Sequence, residues 1–242
     1  GGEQSFLHGR GWLFGLMMAV AVALVIVGGI RSIAAAASRI VPAMALLYVV
    51  AALVVITLSA EYLVDSIILI VSNAFTWSSA KGGMVGAIIV GFQRALFSNE
   101  AGIGSASIAH SAVMTDEPVS EGLVSLLEPF IDTMVICTLT SLVIITTAIS
   151  NGLLHQGREL EGIALTSAAF AHHFSWAPYI IAVAALLFAF STTIAWSYYG
   201  LKGWTYLFGE EPKTQMIFKA IFCVFVAVGC MIQLSAILDF SD

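Results

Sequence analysis

Residues 97–110, FSNEAGIGSASIAH, combine groups that could bind a small charged molecule. Glu100 supplies a carboxylate and Asn99 an amide, while Gly102 and Gly104 weaken helical structure only two residues apart. A helix interrupted here exposes the end of a half-helix dipole together with free backbone N–H and C=O groups. The positive end of a dipole suits a carboxylate, and free carbonyl groups suit a cation or an ammonium. The stretch therefore predicts half of a site for a zwitterion.

A simpler explanation of the same stretch is close packing between two helices, which also requires small residues. That explanation covers the glycines and alanines, but it does not account for the carboxylate of Glu100. An ionisable group deep in a membrane is costly and usually marks a substrate or ion path. Ser98 and Ser105 add hydroxyls that compete for backbone hydrogen bonds. We therefore expect a functional break in a helix at residues 98–105.

The composition requires a membrane environment for these residues. Of the 242 residues, 60% are hydrophobic and only 10% are charged, whereas about a quarter of the residues in a soluble domain are charged. The formal net charge is −6 and no basic cluster is present, which argues against a nucleic-acid partner. The fold class predicted is an all-α integral membrane protein whose main partner is the lipid bilayer.

Long apolar runs give the positions of the membrane-spanning helices, each of which needs about 20 residues. Six spans are predicted, at residues 12–30, 40–60, 83–114 (broken), 122–149, 177–200 and 216–238. Pro42 falls in the first turn of the second predicted span, where proline is tolerated. Residues 62–75 carry Asp65 and are too short to span, so they predict a partial or interfacial helix. The loop at 150–175 predicts one short helix, LTSAAFAHHF.

Basic residues predict the orientation, because Lys and Arg concentrate in cytoplasmic connections. They lie between spans one and two and between spans five and six: Arg31, Arg39, Lys202, Lys213 and Lys219. An alternating path places both connections on one side, the cytoplasm. The chain begins with GGEQSF and stops at LDFSD after an apolar run. We therefore expect a single transmembrane domain, 1–242, that is incomplete at both ends.

The motif GFQRALFSNEAGIGSASIAHSA, followed by FIDTMVICTLTSLVI, closely resembles the signature region of the alanine/glycine:cation symporter family. Further matches are GGIRSIAAAASRIVPAMALLY, LTSAAFAHHF and YYGLKGWTYLFG, so the resemblance covers nearly the whole chain. Two positions depart from the family pattern: Ala95 stands where Gly is expected, and Ser107 where Pro is expected. Neither departure removes a polar group.

The resemblance implies a LeuT-type fold of two inverted five-helix repeats, in which this chain supplies helices four to nine. The broken span is then helix six, and helix one, with the other half of the site, lies in missing N-terminal helices of the same protein. The C-terminal helices are missing too. The implied function is sodium-coupled symport of a small neutral amino acid, alanine or glycine, into the cell across a prokaryotic inner membrane. Na⁺ is the coupling ion implied, with H⁺ left open, and no covalent cofactor is expected.

Hydroxyl residues in span five are implied to hold the ion. In LeuT-type folds two adjacent hydroxyl residues of helix eight bind sodium, and Ser191 and Thr192 match that place best. Oxygen ligands suit a hard cation. Trp196 follows Thr192 by four residues on the same helix face, where its indole would leave room only for a small substrate side chain. The alternatives are hydroxyls bonded to the preceding turn and a tryptophan at the membrane interface.

Charged residues around the break have gating or structural roles in this scheme. Arg94 is either an outer-gate charge, with Glu100 as one candidate partner, or a snorkelling arginine. Asp132, in FIDT, supports the cation site or hydrogen-bonds the unwound helix, and we favour the structural role. Glu128 is expected near the membrane face in solvent, and His110 is expected to be a hydrogen-bonded residue. Ser98, Asn99, Gly102, Gly104, Thr192 and Trp196 are the substrate-binding residues predicted, with Ser191 and Thr192 as the sodium ligands.

Two other classes of function compete with transport. One is a membrane channel or scaffold without coupled transport. The other is an intramembrane hydrolase that would use a serine with His110 and Glu100. The hydrolase is disfavoured because Glu100 and His110 lie on opposite sides of the break and no strand–turn nucleophile elbow is present. Uptake of an amino acid with and without a sodium gradient distinguishes all three classes.

Overall fold

The computed structural model describes residues 10–74, 88–89, 91–92, 100–151 and 162–232. Within these ranges every regular element is helical and no strand occurs. The chain divides into two compact units, residues 1–43 with 186–242, and residues 44–185. Two long helices run from one unit into the other, and each unit is described by itself below.

The N-terminal region forms two helices separated by a tight turn. Helix α1 is Gly11–Ile26 and helix α2 is Gly29–Leu58. Gly29, the first residue of α2, has φ +69°, a left-handed conformation that glycine adopts readily and that changes the direction of the chain between the two helices. The second helix therefore begins well before the predicted span at 40–60, and Arg31 and Arg39 lie on it. Pro42 lies inside this helix and not in its first turn as predicted.

The remaining helices follow in chain order, after a 3₁₀ turn at Ala60–Tyr62. They are α3 Leu63–Ala74, α4 Glu100–Ile103, α5 Ala106–His110, α6 Pro118–Ser125, α7 Leu127–Pro129, a π-helical segment Phe130–Cys137, α8 Thr138–Asn151, α9 Ile163–His173, α10 Ala177–Phe208 and α11 Pro212–Gly229. Residues 88–89 and 91–92 are also helical. Helix α3 confirms the short helix predicted at 62–75, and α9 confirms the one predicted in the loop.

Four helical stretches of the described residues are long and apolar enough to cross a membrane: Gly29–Leu58, Pro118–Ser150, Ala177–Phe208 and Pro212–Gly229. Helix α1, with 16 residues, is shorter. Leu24 on α1 is 77% exposed and Phe225 on α11 is 70% exposed, as expected of side chains that face lipid instead of a protein core. The chain is thus an all-helical, multi-pass membrane protein. The predicted count of six spans is not confirmed, because most of residues 83–99 and the end of the last span lie outside the described residues.

In the first unit, α1 packs closely against α11. A Cβ atom at Gly15 would overlap the carbonyl oxygen of Ala227 and would lie 3.2 Å from the Cβ of Cys230. Small residues at such a contact let two membrane helices approach until their backbones touch. The ammonium of Lys219 on α11 also donates a hydrogen bond to the carbonyl of Val27, over 3.2 Å.

The second unit is centred on α8, which contacts both α3 and α9. Val143, Thr146 and Thr147 on α8 are fully buried. The hydroxyls of Tyr48 and Thr140 share a hydrogen bond of 2.5 Å, which ties α2 to α8. Because membrane helices gain little from burying apolar surface against one another, such polar contacts and close packing hold them together. This unit also carries the predicted break.

Candidate functional site

Within the stretch predicted to be broken, residues 98–105, the described residues leave helical geometry at Gly104 and Ser105. Helix α4 ends at Ile103 and α5 begins at Ala106, and between them Gly104 has φ +78°. Its N–H still donates to the carbonyl of Glu100 over 3.0 Å, so the left-handed residue closes one helical turn and redirects the chain. Gly102 lies inside α4 and keeps helical geometry. Ser98, Asn99 and Arg94 lie outside the described residues.

Glu100 bridges the break with its own side chain. Its carboxylate oxygen Oε2 accepts a hydrogen bond from the hydroxyl of Ser105, which is buried. The two residues stand on opposite sides of Gly104, so this bond links the last residue before α5 to the first residue of α4. Charge-assisted hydrogen bonds of this kind are stronger than neutral ones. The bond is local to the motif, and it gives Glu100 a structural role beside the predicted gating role.

Glu128 corrects an expectation of the sequence analysis, which placed it in solvent near the membrane face. The residue is half-buried, and its oxygen Oε1 accepts a hydrogen bond of 2.9 Å from the backbone N–H of Glu100. The first N–H groups of a helix have no partner within it. The carboxylate of Glu128 on α7 satisfies one such group at the start of α4. An acid within an apolar span was the available signal, since such groups need a partner.

His110 ends the inner arm of the break, and its imidazole contacts a carboxylate. Its Nδ1 atom lies 2.5 Å from Oε1 of Glu121 on α6, and the two side chains are 26% and 19% exposed. The expectation that His110 is a hydrogen-bonded residue is therefore confirmed. Glu121 itself was missed by sequence reasoning, because it is one of three acidic residues at 115–121 and nothing distinguished this position.

Asp132 lies in the π-helical segment Phe130–Cys137 and is half-buried. A π-helix bonds each N–H to the carbonyl five residues earlier, and short stretches of it are frequent at functional sites. The wider turn changes the direction of every side chain after Pro129 relative to a continuous α-helix. The sequence motif FIDTMVIC coincides with this segment, but nothing in its residue types predicted the π geometry.

The predicted sodium ligands lie on α10. The hydroxyl of Ser191, which is buried, donates to the carbonyl of Phe188 over 3.0 Å. The neighbouring hydroxyl of Thr193 donates to the carbonyl of Ala189 over 2.7 Å. Bonds to the preceding turn were the alternative explanation for these hydroxyls, and for Ser191 and Thr193 they are present. A hydroxyl that donates in this way keeps lone pairs that can bind a cation, and the side chain of Thr192 is exposed.

Trp196 lies well inside α10 and is 41% exposed. Its ring approaches that of Tyr199 edge-to-face, with centroids 5.9 Å apart. Ser191, Thr192 and Trp196 belong to the first unit, whereas the residues of the break and Asp132 belong to the second. The described contacts therefore bring Glu100, Ser105 and Glu128 together, and His110 with Glu121. Assembly of these two groups with the α10 residues stays a prediction.

A further polar contact of the second unit was not foreseen. The hydroxyl of Ser59, which is buried, lies 2.8 Å from Nε2 of His173 at the end of α9. Burial, and to a smaller extent the charge of His172, lowers the pKa of His173 below its usual value. Among the described residues, no cluster of His, Cys, Asp or Glu has the arrangement of a metal site.

Comparison with known proteins gives an extensive match. The sequence model of the sodium:alanine symporter family matches residues 3–242. An uncharacterized transporter of Haemophilus influenzae is 39% identical over 94% of this chain and 50% of its own length. The sodium/alanine symporter AgcS of Methanococcus maripaludis is 37% identical over 94% of the chain and 50% of its own length. The probable sodium/glutamine symporter GlnT of Bacillus subtilis is 35% identical over 94% and 47%. The chain spans about half the length of these relatives.

Proposed function

Because the chain belongs to the sodium:alanine symporter family, we propose that the whole protein is a sodium-coupled symporter that carries a small neutral amino acid, alanine or glycine, into the cell. The family consists of transporters and not enzymes, so the intramembrane hydrolase is no longer a candidate. In this proposal the chain supplies helices four to nine of a LeuT-type fold in a prokaryotic cell membrane. Flanking helices of the same protein complete the site.

The observation that supports this proposal most is the helix interruption at Gly104, in a chain that belongs to a family of membrane transporters. In hydrocarbon, unwound backbone is stable only where protein surrounds it or where it lines a cavity. Transporters use such discontinuous helices to bind charged substrate groups near the middle of the bilayer. The left-handed glycine and the short arms on both sides of it have the form that this role requires.

For the substrate we propose contacts from the broken segment around Gly104 and from helix α10. Ser98, Asn99 and the backbone at Gly102 and Gly104 would bind the carboxylate and ammonium groups of the amino acid. Trp196 would contact the substrate side chain and limit its size. A methyl group or hydrogen fits beside a bulky indole, which favours alanine or glycine over larger amino acids.

For the coupling ion we propose Na⁺, bound by the hydroxyls of Ser191 and Thr192 and by backbone carbonyls of the missing first helix. The family description supports sodium as the ion. A sodium gradient would then drive uptake, because the ion stabilises the same arrangement of helices that binds the amino acid. A proton gradient is the alternative that the experiment must separate.

The deciding experiment is uptake of labelled alanine by the whole protein in proteoliposomes. We expect uptake to require an inward sodium gradient and to persist when the proton gradient is collapsed. Unlabelled glycine and alanine should compete, whereas glutamine, the amino acid in the name of the GlnT relative, should compete weakly. Uptake that ignores sodium would overturn the coupling, and the absence of any uptake would favour a channel or scaffold.

The role proposed for Trp196 has its own test. Replacing Trp196 with Ala should weaken alanine binding and admit larger amino acids such as leucine as competitors, because the cavity gains the volume of the indole. Trp176→Ala is the matched control, since Trp176 is 54% exposed and lies in the other unit. Competition profiles that are identical in the two variants would remove Trp196 from the substrate pocket.

A further inference from the structure

The two arms of the broken helix are each held by a carboxylate of the helix that follows. Glu128 accepts from the backbone N–H of Glu100 at the start of α4. Glu121 contacts the imidazole of His110 at the end of α5. Both contacts are made by side chains that carry a full negative charge when ionised, and both carboxylates are partly buried.

The spacing of the two glutamates suits them for this double contact. They stand seven residues apart in a stretch that is helical from Pro118 to Pro129, with Leu126 between α6 and α7 also in the right-handed helical conformation. Residues seven apart lie on the same face of an α-helix, two turns from each other. One face of this stretch therefore carries both glutamates toward the broken helix.

Between the two contacts lies the left-handed turn at Gly104, which Glu100 and Ser105 bridge. A four-residue helix and a five-residue helix are too short to be stable by themselves, because helix formation has a costly nucleus. Their conformation must be maintained by contacts from other elements. The carboxylates of Glu121 and Glu128 provide such contacts at the two outer ends.

We propose that Glu121 and Glu128 are positioning residues that fix the backbone of residues 100–110 in the geometry needed to bind the transported molecule. Glu128 orients α4 through the N–H of Glu100, and Glu121 orients α5 through His110. Neither residue needs to touch the substrate. The inference rests on the proposed transport function for its consequence, but the positioning itself is measurable without transport.

The first test is Glu128→Ala in the whole protein. Loss of the acceptor leaves the N–H of Glu100 unsatisfied, so amide hydrogen exchange of the peptide 100–110 should become about ten-fold faster, which corresponds to ~1.4 kcal/mol. The KM for alanine should rise several-fold, while the maximal rate changes less than about two-fold, because binding geometry is lost before the transport step itself. Glu128→Gln keeps an acceptor oxygen and should largely restore both values.

Glu117→Ala is the matched control for these measurements. Glu117 precedes α6, is exposed and makes no side-chain capping bond to that helix. Its replacement should leave both exchange and KM unchanged. Exchange in Glu128→Ala that equals the wild-type value would overturn the proposal, whatever the uptake shows. Faster exchange with an unchanged KM would also overturn it, because the contact would then be merely structural.

The second contact is tested by exchanging its two residues. His110→Glu and Glu121→His should each speed exchange of the peptide 100–110 and raise the KM, because each places like groups opposite one another. The double variant restores an imidazole facing a carboxylate. Its exchange rate for the peptide 100–110 and its KM should therefore return most of the way to the wild-type values. A double variant no better than the worse single variant would overturn the proposal for this arm.

The exchange experiment also separates the positioning role of the two glutamates from the proposed transport function. If the wild-type protein takes up no amino acid under any gradient, the proposed function fails, and the exchange data alone decide whether the glutamates hold the segment. If Glu128→Ala does not insert into membranes, the swap of residues 110 and 121 decides the proposal by the same two measurements.

Discussion

At the scale of single residues, Gly104 contributes most to the candidate site. Its φ of +78° lies in the region that L-residues with a side chain rarely adopt. A Cβ added there would meet no heavy atom within 4 Å. The need for glycine is therefore conformational and does not come from crowding, so a substitution isolates the backbone effect.

Gly104→Ala should destabilise the protein by about 1–2 kcal/mol through the left-handed conformation alone. Alanine uptake should fall at the same time, since the chain would relax toward a continuous helix. Denaturation in detergent measures the first effect. Gly122→Ala is the control, because Gly122 lies on α6 with open space around it and no positive φ. Equal stability of the two variants would contradict the prediction.

Thr192 provides a second prediction at this scale. Thr192→Val keeps the shape of the side chain and removes the hydroxyl oxygen, so the sodium concentration for half-maximal uptake should rise several-fold. Thr193→Val is the neighbouring control, because the hydroxyl of Thr193 is directed to the carbonyl of Ala189. A sodium dependence unchanged in Thr192→Val would exclude Thr192 as a ligand.

At the scale of elements, packing of helix pairs replaces the hydrophobic core of a soluble protein. Helices α1 and α11 approach until a methyl group at Gly15 would overlap the backbone of Ala227. On α10, a methyl group at Gly200 would lie 2.7 Å from Cζ of Phe218. The first neighbour is backbone and cannot yield, whereas the second is the far end of a side chain that can rotate.

Gly15→Ala should therefore destabilise the α1–α11 pair by about 1–3 kcal/mol, the usual cost of overpacking. Gly203→Ala on α10 is the control, since a methyl group there would meet nothing within 4 Å. The stability of both variants is measured in detergent, from the denaturant concentration at which the helical signal is lost. A midpoint for Gly15→Ala at or above that of Gly203→Ala would contradict the close approach seen between α1 and α11.

The π-helical segment is the other feature at this scale. It occupies the same residues as the FIDT motif, and it begins directly after Pro129. Proline lacks a backbone N–H and disturbs the regular i to i−4 pattern. The sequence located the motif in an apolar span, but the choice between α and π geometry depends on how neighbouring segments accommodate the backbone.

At the scale of the whole molecule, orientation in the membrane is the property that basic residues predict. Helix α10 is long enough to span, so its two ends should lie on opposite sides of the bilayer. Lys202 lies near the C-terminal end of α10 and Lys213 follows that end, which should therefore be cytoplasmic. The two compact units share α2 and α10, which places the predicted ion ligands and the broken helix on different units.

Single cysteines test the orientation in a whole protein from which all native cysteines, including Cys137, Cys223 and Cys230, have been removed. Lys213→Cys and Ser175→Cys lie at exposed positions beyond the two ends of α10. A membrane-impermeant thiol reagent applied to intact cells should label Ser175→Cys and leave Lys213→Cys unlabelled until the cells are opened. The reverse pattern would invert the predicted topology.

The sequence by itself determined the membrane class, the family, the short helices at 63–74 and 163–173 and a helix interruption within residues 98–105. These properties follow from local composition, since apolar length, glycine placement and motif identity need no knowledge of distant contacts. It did not determine that α2 begins at Gly29, that Glu128 binds the start of α4 or that Glu121 binds His110. Those features required the tertiary structure, because the partners of a backbone N–H or a buried carboxylate are chosen by which helices come to lie side by side.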